Sequence, residues 1–173
     1  MIHKVYLITG SNRGNRLQML QKAARMIIQR CGEIVQSSKV YMTQPWGFHD
    51  DTPFLNQVLL LETGLNPFDL LEAVLQIESD IGRIRNADGY TSRKIDIDIL
   101  FFDNRSIEKD ILKIPHPHIA ERRFVLTPLA EIAPELVHPH YSATIYELLQ
   151  QCTDELEVRL YPNKQLQTTS LST

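Results

Sequence analysis

The segment RKIDIDILFF, residues 93–102, restricts the fold of this chain more than any other part of the sequence. It has the branched and aromatic composition of a buried strand, yet Asp96 and Asp98 alternate with isoleucines. Because side chains alternate between the two faces of a strand, the aspartates share one face and the isoleucines the other. A buried carboxylate costs several kcal/mol unless it is paired. The segment therefore predicts a sheet whose apolar face is covered and whose other face carries an acidic pair.

The bulk composition indicates one domain over residues 1–161, followed by a polar tail over residues 162–173. With 18 basic and 21 acidic residues, the formal net charge of −3 gives no overall attraction to nucleic acid or to an anionic membrane. The apolar runs are too short to span a bilayer. Cys31 and Cys152 form no CxxC pair and follow no signal peptide, so we expect reduced thiols in a cytoplasmic protein.

Hydrophobic periodicity predicts strands over residues 5–10, 33–41, 54–63, 93–102 and 156–161. Helices are predicted from about residue 16 to Cys31, from Asn66-Pro67 to Ile81, and over residues 125–133 and 144–152. The stretch IPHPHI is expected to be extended because of its prolines. A loop, not a helix, joins the second and third strands, which favours antiparallel pairing. The predicted fold class is α+β, a mostly antiparallel sheet with helices packed on it.

The aspartate pair has two interpretations. Two carboxylates one strand repeat apart can hold one or two hard divalent cations such as magnesium. Three arginines in the preceding loop, Arg83, Arg85 and Arg93, favour a polyphosphate beside that metal, because guanidinium groups match phosphate oxygens. The alternative is a solvent-exposed charge pair with direct Arg–Asp salt bridges, each worth about 0–1 kcal/mol.

Several other side chains are candidates for ligand contacts. His116 and His118, with Arg122 or Arg123 close by, suit hydrogen bonds to a phosphate or nucleotide better than metal ligation, since no cysteine or third histidine lies near them. The tripeptide HPH recurs at residues 138–140 without a basic cluster, where packing is the favoured interpretation. Phe54, Asn56 and Phe124 could hold a flat heterocycle, although composition alone favours core packing for each phenylalanine. Trp46 is either a loop anchor or a lid.

Taken together and in this order, the motifs resemble the 6-hydroxymethyl-7,8-dihydropterin pyrophosphokinases of folate biosynthesis. The resemblance covers roughly residues 4–140. It rests on GSN at 10–12, YMTQPWG at 41–47, FLNQV at 54–58, IESDIGRIR at 77–85, SRKIDIDIL at 92–100 and IPHPHIAERRFVLTPLAEIAPEL at 114–136. The pattern R-x-x-D-[LIV]-D-[LIVM], with PH and R-x-F downstream, is the specific part.

The resemblance implies that the chain transfers diphosphate from ATP to the hydroxymethyl group of the pterin and releases AMP. It implies a three-layer α-β-α sandwich with a ferredoxin-like core, which acts on small molecules as a monomer. Two magnesium ions are implied on Asp96 and Asp98, with Arg83 and Arg93 gripping the phosphates. The nucleotide-binding residues implied are Glu78, Arg85, His116 and Arg122. The pterin-binding residues implied are Thr43, Trp46, Phe54, Asn56 and Phe124.

Two departures from the family pattern concern the substrate sites. Ile111 stands where some members place a basic residue toward ATP, and Phe54 where some have tyrosine. Two other function classes fit the aspartate pair: a magnesium-dependent phosphohydrolase or nucleotidyltransferase, and a non-catalytic nucleotide-binding domain.

Overall fold

A computed structural model describes residues 1–44, 52–82 and 94–162 of the chain. The strands in these ranges are β1 (His3–Ser11), β2 (Glu33–Ser37), β3 (Tyr41–Thr43), β4 (Phe54–Thr63), β5 (Asp96–Phe102), β6 (Ile107–Lys109), β7 (Leu112–Ile114), β8 (Val137–His138), β9 (Ala143–Thr144) and β10 (Val158–Leu160). The helices are α1 (Arg16–Arg30), α2 (Pro67–Ile81), α3 (Arg123–Ile132) and α4 (Ile145–Gln151), with a 3-10 turn at Ile119–Glu121.

The main sheet has the strand order β10-β3-β4-β1-β5, and β2 pairs with the far end of β4. Every pairing in it is antiparallel. The succession β1-α1-β2-β4-α2-β5 is a βαββαβ unit of the ferredoxin-like type, in which β1 lies in the centre. The antiparallel α+β prediction is therefore confirmed.

Helices cover both faces of the sheet, so the architecture has three layers. One core joins α1 and α2 to the sheet through residues such as Ile27, Ile77 and Leu7. The other core joins α3 and α4 to the opposite face through residues such as Leu126 and Val58. Strand alternation divides the side chains of β4 and β5 between these two layers.

Local signals explain the helix that most affects the site. Asn66 caps α2, because its side chain accepts hydrogen bonds from the amides of Phe68 and Asp69 at 3.0 Å each, and Pro67 takes the first helical position. Gly82 ends α2 at φ +97°, a left-handed conformation that glycine adopts without a steric penalty. The predicted limits of α2 are thereby confirmed.

The prediction of one strand over residues 33–41 is wrong. Both β2 and β3 pair with β4, but the chain leaves the ladder at Ser38. The Ser38 amide donates to the Val58 carbonyl at 2.8 Å, and its Oγ accepts from the Val58 amide at 2.9 Å. The serine side chain thus takes the place of a backbone acceptor, which separates the two strands.

The stretch IPHPHI is not extended as expected. Residues 117–118 form a turn and Ile119–Glu121 a 3-10 helix, while the His116 amide donates to the Leu100 carbonyl at 2.9 Å. The short hairpin of β6 and β7 precedes it and was not predicted. Cys31 and Cys152 are free thiols, in agreement with the sequence prediction. Across the described ranges, none of the helices combines the length and apolar character needed to cross a bilayer.

Candidate active site

Three neighbouring strands place an amide, a glycine and a carboxylate in one row. Gly10 on β1 is the register partner of Asn56 on β4 and of Asp96 on β5. Directly opposed residues share a face, so all three lie on the face that α3 covers. A Cβ at Gly10 would lie 2.6 Å from Asn56 Oδ1. Glycine at this position therefore makes room for the Asn56 side-chain amide, next to the strand that carries Asp96.

The two aspartates of β5 open into a cavity of about 410 Å³. Asp96 and Asp98 are both half-buried, whereas Ile95, Ile97 and Ile99 are buried in the core beneath α1 and α2. The predicted division of the strand into an apolar and an acidic face is confirmed. The remaining residues that line the cavity are Leu71, Leu75, Glu78, Ile97, Ile99, Asp110, Ile111, Leu112, Lys113, His116, Pro117, His118 and Arg122.

Glu78 binds the strand that carries the aspartate pair. Its side chain is 2% exposed, and Oε1 accepts a hydrogen bond from the Ile97 amide at 2.8 Å. Ile97 is the residue between Asp96 and Asp98. The α2 carboxylate thus binds the β5 backbone on the edge that β1 does not occupy, and so fixes the spacing of the pair. That Glu78 also contacts the nucleotide stays a prediction.

We expect Glu78→Ala to lower the free energy of unfolding by about 1–3 kcal/mol, because the Ile97 amide would lose a buried acceptor. Glu78→Gln keeps an acceptor oxygen and should restore part of this loss. Chemical denaturation measures both changes. Glu72→Ala is the matched control, since Glu72 is an exposed acid on the same helix. Equal stability of Glu78→Ala and the control would contradict this role.

His116 lies on the other side of the aspartates with a defined tautomer. Its Nδ1 accepts a hydrogen bond from the His118 amide at 3.2 Å. Burial, with smaller contributions from the positive charges of Arg122 and His118, lowers the pKa of the His116 imidazole to about 4, while Asp96 opposes the shift. Near pH 7 the ring is neutral and carries its proton on Nε2. It can donate one hydrogen bond from that atom.

The second HPH tripeptide has the same backbone arrangement away from the cavity. The His138 Nδ1 accepts from the His140 amide at 3.2 Å, and its ring packs edge-on against Phe101 at 5.5 Å between centroids. His138 is 2% exposed. The sequence prediction that HPH by itself signals packing is therefore confirmed at this position.

His138 gives a pH dependence of stability. Burial lowers its pKa from 6.5 to about 4, with a smaller contribution from His140. As the pH falls below 6.5, the unfolded chain binds the proton first, so folding loses stability down to about pH 4. We expect His138 to account for a loss on the order of 2 kcal/mol in this window, which His138→Gln should remove while the similar contribution of His116 stays. Denaturation midpoints at several pH values measure it. An unchanged slope in the variant would refute the assignment.

Asn56 and Thr43 form the second part of the site. Both are buried, and Asn56 Nδ2 donates to Thr43 Oγ1 at 3.1 Å. Thr43 is in turn the register partner of Phe54. Phe124 lies in the first turn of α3, a helix that contacts β3 and β4, and the Arg122 guanidinium lies over its ring at 5.8 Å from the centroid. Arg122 therefore connects the cavity of the aspartates to Phe124.

The structure brings together most of the site residues that the sequence predicted. Glu78, Asp96, Asp98, His116 and Arg122 line one cavity, as the phosphate-binding and nucleotide-binding group should. Thr43, Phe54 and Asn56 form the adjacent group, and Arg122 connects Phe124 to the cavity. Trp46, Arg83, Arg85 and Arg93 lie outside the described residues.

Sequence reasoning missed two features of the site. The place of Gly10 between the amide and the carboxylate needs the β4-β1-β5 register, although GSN belongs to the quoted motifs. The apolar rim formed by Leu71, Leu75 and Ile111 was not predicted either. Helical spacing of Leu71 and Leu75 on α2 was the available signal for part of it.

Comparison with known proteins decides the family. The sequence profile of the 7,8-dihydro-6-hydroxymethylpterin-pyrophosphokinase family matches residues 6–134, which include every described residue of the site. The chain belongs to this family. The resemblance predicted from the motifs is thereby confirmed.

Individual pyrophosphokinases agree with this assignment. The 2-amino-4-hydroxy-6-hydroxymethyldihydropteridine pyrophosphokinase of Bacillus subtilis is 38% identical over 160 residues, which is 92% of this chain and 90% of the relative. The enzyme of the same name from Aquifex aeolicus is 38% identical over 149 residues, covering 86% of this chain and 92% of the relative.

Solved structures of pyrophosphokinases share the fold. A crystal structure described as HPPK-DHPS in complex with substrates has a TM-score of 0.72 at 16% identity and covers 86% of this chain. The Plasmodium falciparum HPPK-DHPS with STZ-DHP has a TM-score of 0.71 at 17% identity and covers 87%. The chain spans 43% of each of these longer proteins. At this identity the likeness supports the three-layer fold.

Proposed function

We propose that this chain transfers the diphosphate of ATP to the hydroxymethyl group of 6-hydroxymethyl-7,8-dihydropterin, as its family name describes. The observation that carries the proposal is the row formed by Asn56, Gly10 and Asp96. A heterocycle held by the amide would direct its short alcohol arm across β1 toward the carboxylates of β5. The row thus places an amide that can bind the heterocycle near a carboxylate that can bind the metal of the ATP complex.

The reaction requires placement more than a protein nucleophile. The alcohol oxygen attacks the β-phosphorus and forms a new O–P bond, while the bond to the oxygen bridging the α- and β-phosphates breaks. AMP leaves with that oxygen, and the hydroxyl proton is released. Such transfers depend mainly on in-line positioning and on stabilisation of charge. A rigid sheet floor with charged groups around it fits this requirement.

The donor set at the aspartates suits magnesium. Magnesium prefers oxygen ligands and is commonly held by one or two carboxylates together with substrate phosphates and water. Within the described ranges no group of three or more His, Cys, Asp or Glu side chains could hold a metal, which fits a site completed by the substrate. Asp96 and Asp98 would hold two ions. When bound, magnesium neutralises the phosphate charge and polarises the phosphoryl oxygens.

His116 and Arg122 would bind the nucleotide from the same cavity. Neutral His116 donates from Nε2 to a phosphate oxygen, because its Nδ1 is held by the His118 amide. Arg122 adds a fixed positive charge, which its packing on Phe124 orients. Ile111 is exposed on the rim of the cavity, so it adds apolar surface where some family members place a basic side chain.

The pterin would lie beside Asn56 with its ring between Phe54 and Phe124. A planar heterocycle stacks well on aromatic rings, and an amide offers both a donor and an acceptor to its edge. The hydrogen bond from Asn56 Nδ2 to Thr43 Oγ1 orients the amide, with its nitrogen toward Thr43. Contacts of Trp46 with the pterin, and of Arg83, Arg85 and Arg93 with ATP, stay predictions, as do the monomeric state and the cytoplasmic location.

One incubation tests the proposal. The purified chain is mixed with ATP, magnesium and 6-hydroxymethyl-7,8-dihydropterin, and the products are separated by anion-exchange chromatography. We expect AMP and pterin diphosphate in equal amounts. ADP or free phosphate would indicate a phosphotransferase or hydrolase, and a nucleotidylated pterin a nucleotidyltransferase. The absence of any turnover would indicate a binding domain. Each of these results would refute diphosphate transfer.

A further inference from the structure

The segment of residues 152–161, which we call the C-terminal strap, runs from the end of α4 to the edge of the main sheet. Its strand β10 pairs with β3, with Val158 opposite Thr43 and Leu160 opposite Tyr41. The Tyr161 amide extends this pairing by donating to the Val40 carbonyl at 2.9 Å. The strap therefore covers the outer edge of the strand that carries Thr43.

The other end of the strap is bound to the start of α3. Arg123 donates from Nε to the Asp154 carbonyl at 2.9 Å and from Nη2 to the Cys152 carbonyl at 2.8 Å. Its backbone amide donates to Asp154 Oδ2 at 3.0 Å. Asp154 Oδ1 accepts from the Leu156 amide at 3.0 Å, which holds the carboxylate in place.

Asp154 acts as a helix cap supplied from a distant part of the chain. The residue at the N-cap of α3, Arg122, makes no side-chain capping hydrogen bond. The first amides of a helix lack partners within the helix, and a carboxylate there satisfies one of them and interacts favourably with the helix dipole. The first turn of α3, which carries Phe124, thus depends on the strap for its cap.

The strap contacts both sides of the pterin pocket described above. On one side, β3 has only three residues and is paired with β4 by one edge, so a short strand of this kind frays unless its second edge is paired. On the other side, Arg123 and its cap precede Phe124 directly. We propose that the C-terminal strap positions Thr43 and Phe124 relative to each other, with Asp154 and Arg123 as positioning residues.

This inference rests on the proposed function, because it concerns the pterin pocket of that reaction. It also predicts that the two substrates respond differently. The backbone of Arg122 has its own hydrogen bond, from its amide to the Ile119 carbonyl at 3.3 Å, while its guanidinium packs on Phe124. Asp96 and Asp98 lie on β5, at the opposite edge of the main sheet from β10, and His116 lines the cavity beside them. Loss of the strap should therefore affect the pterin more than ATP.

The test is a steady-state comparison of Asp154→Ala, Asp154→Asn and the wild type, with KM measured separately for pterin and for ATP. We expect Asp154→Ala to raise the KM for pterin about tenfold and the KM for ATP no more than about twofold. Asp154→Asn retains an acceptor oxygen and should recover most of the change. Glu157→Ala is the matched control, because Glu157 is an exposed acid on the same strap and its carboxylate forms an ion pair with the exposed Arg159.

A second pair of variants keeps the test decisive if Asp154→Ala does not fold. A chain ending after Pro162 should keep both KM values, whereas Arg123→Lys, which cannot donate to both carbonyls at once, should raise the KM for pterin selectively. Equal changes in both KM values, or no change beside a lower melting temperature, would show that the strap is purely structural. A wild-type chain that forms no pterin diphosphate would instead refute the proposed function.

Discussion

Replacing Asp96 or Asp98 with asparagine should lower turnover by at least about 10³-fold, a loss of about 4 kcal/mol in transition-state stabilisation. Asparagine matches aspartate in shape, so the half-buried side chains keep their volume while the aspartate pair loses one of its two negative charges. The measurement is kcat/KM from AMP release. Far-ultraviolet circular dichroism should show an unchanged fold in both variants.

A control variant and a second measurement distinguish metal binding by Asp96 and Asp98 from a general effect of negative charge near the cavity. Asp110→Asn removes a charge from the exposed rim of the same cavity and should change turnover less than about threefold. Binding of manganese in the presence of a non-hydrolysable ATP analogue, followed by electron paramagnetic resonance, should be weakened in Asp96→Asn and Asp98→Asn. Retained turnover in both single variants would rule out metal binding by this pair.

Asn56→Ala should raise the KM for pterin about 100-fold, because a site built to hydrogen-bond a heterocycle is penalised strongly when its amide is lost. The same change removes the hydrogen bond that Asn56 Nδ2 donates to the buried Thr43 hydroxyl, and it should cost about 1 kcal/mol of stability. Fluorescence titration with the pterin and with an ATP analogue gives the two affinities separately.

Gln57→Ala is the matched control for this prediction. Gln57 is the next amide on β4, but alternation turns it to the opposite face, where its Nε2 donates to the Ser38 carbonyl at 2.8 Å. It should reduce stability without changing either affinity by more than about threefold. A fall in ATP affinity equal to the fall in pterin affinity in Asn56→Ala would contradict the assignment of this amide to the pterin.

Local signals in the sequence were sufficient where one segment decides its own structure. The strand Phe54–Thr63 and the helix Pro67–Ile81 have the predicted limits, because the first contains no breaker and the second carries its own cap, proline and terminal glycine. The alternation in β5 also predicted correctly which face holds Asp96 and Asp98. These features depend on neighbours within a few positions along the chain.

Pairing between distant segments explains what the sequence did not reveal. The break at Ser38 arises from its two hydrogen bonds to Val58, which no local propensity encodes. A register shift in the β1–β5 pairing skips Leu100, so Leu100 and Phe101 both join the core under α3 and α4, against simple alternation. The row through Gly10 likewise depends on register across three strands. The resemblance to a family supplied residue roles that propensity and periodicity could not.

The row of Asn56, Gly10 and Asp96 across three strands has a consequence for substrate choice. Two inter-strand spacings separate Asn56 from Asp96, a distance of about 10 Å that hydrogen-bonded backbone sets and side-chain substitutions hardly alter. The sheet therefore fixes the distance between the part of the substrate that is recognised and the part that reacts. Enzymes with this strand register would accept other ring systems after substitutions around Asn56. They would still require a substrate whose alcohol arm has the same length.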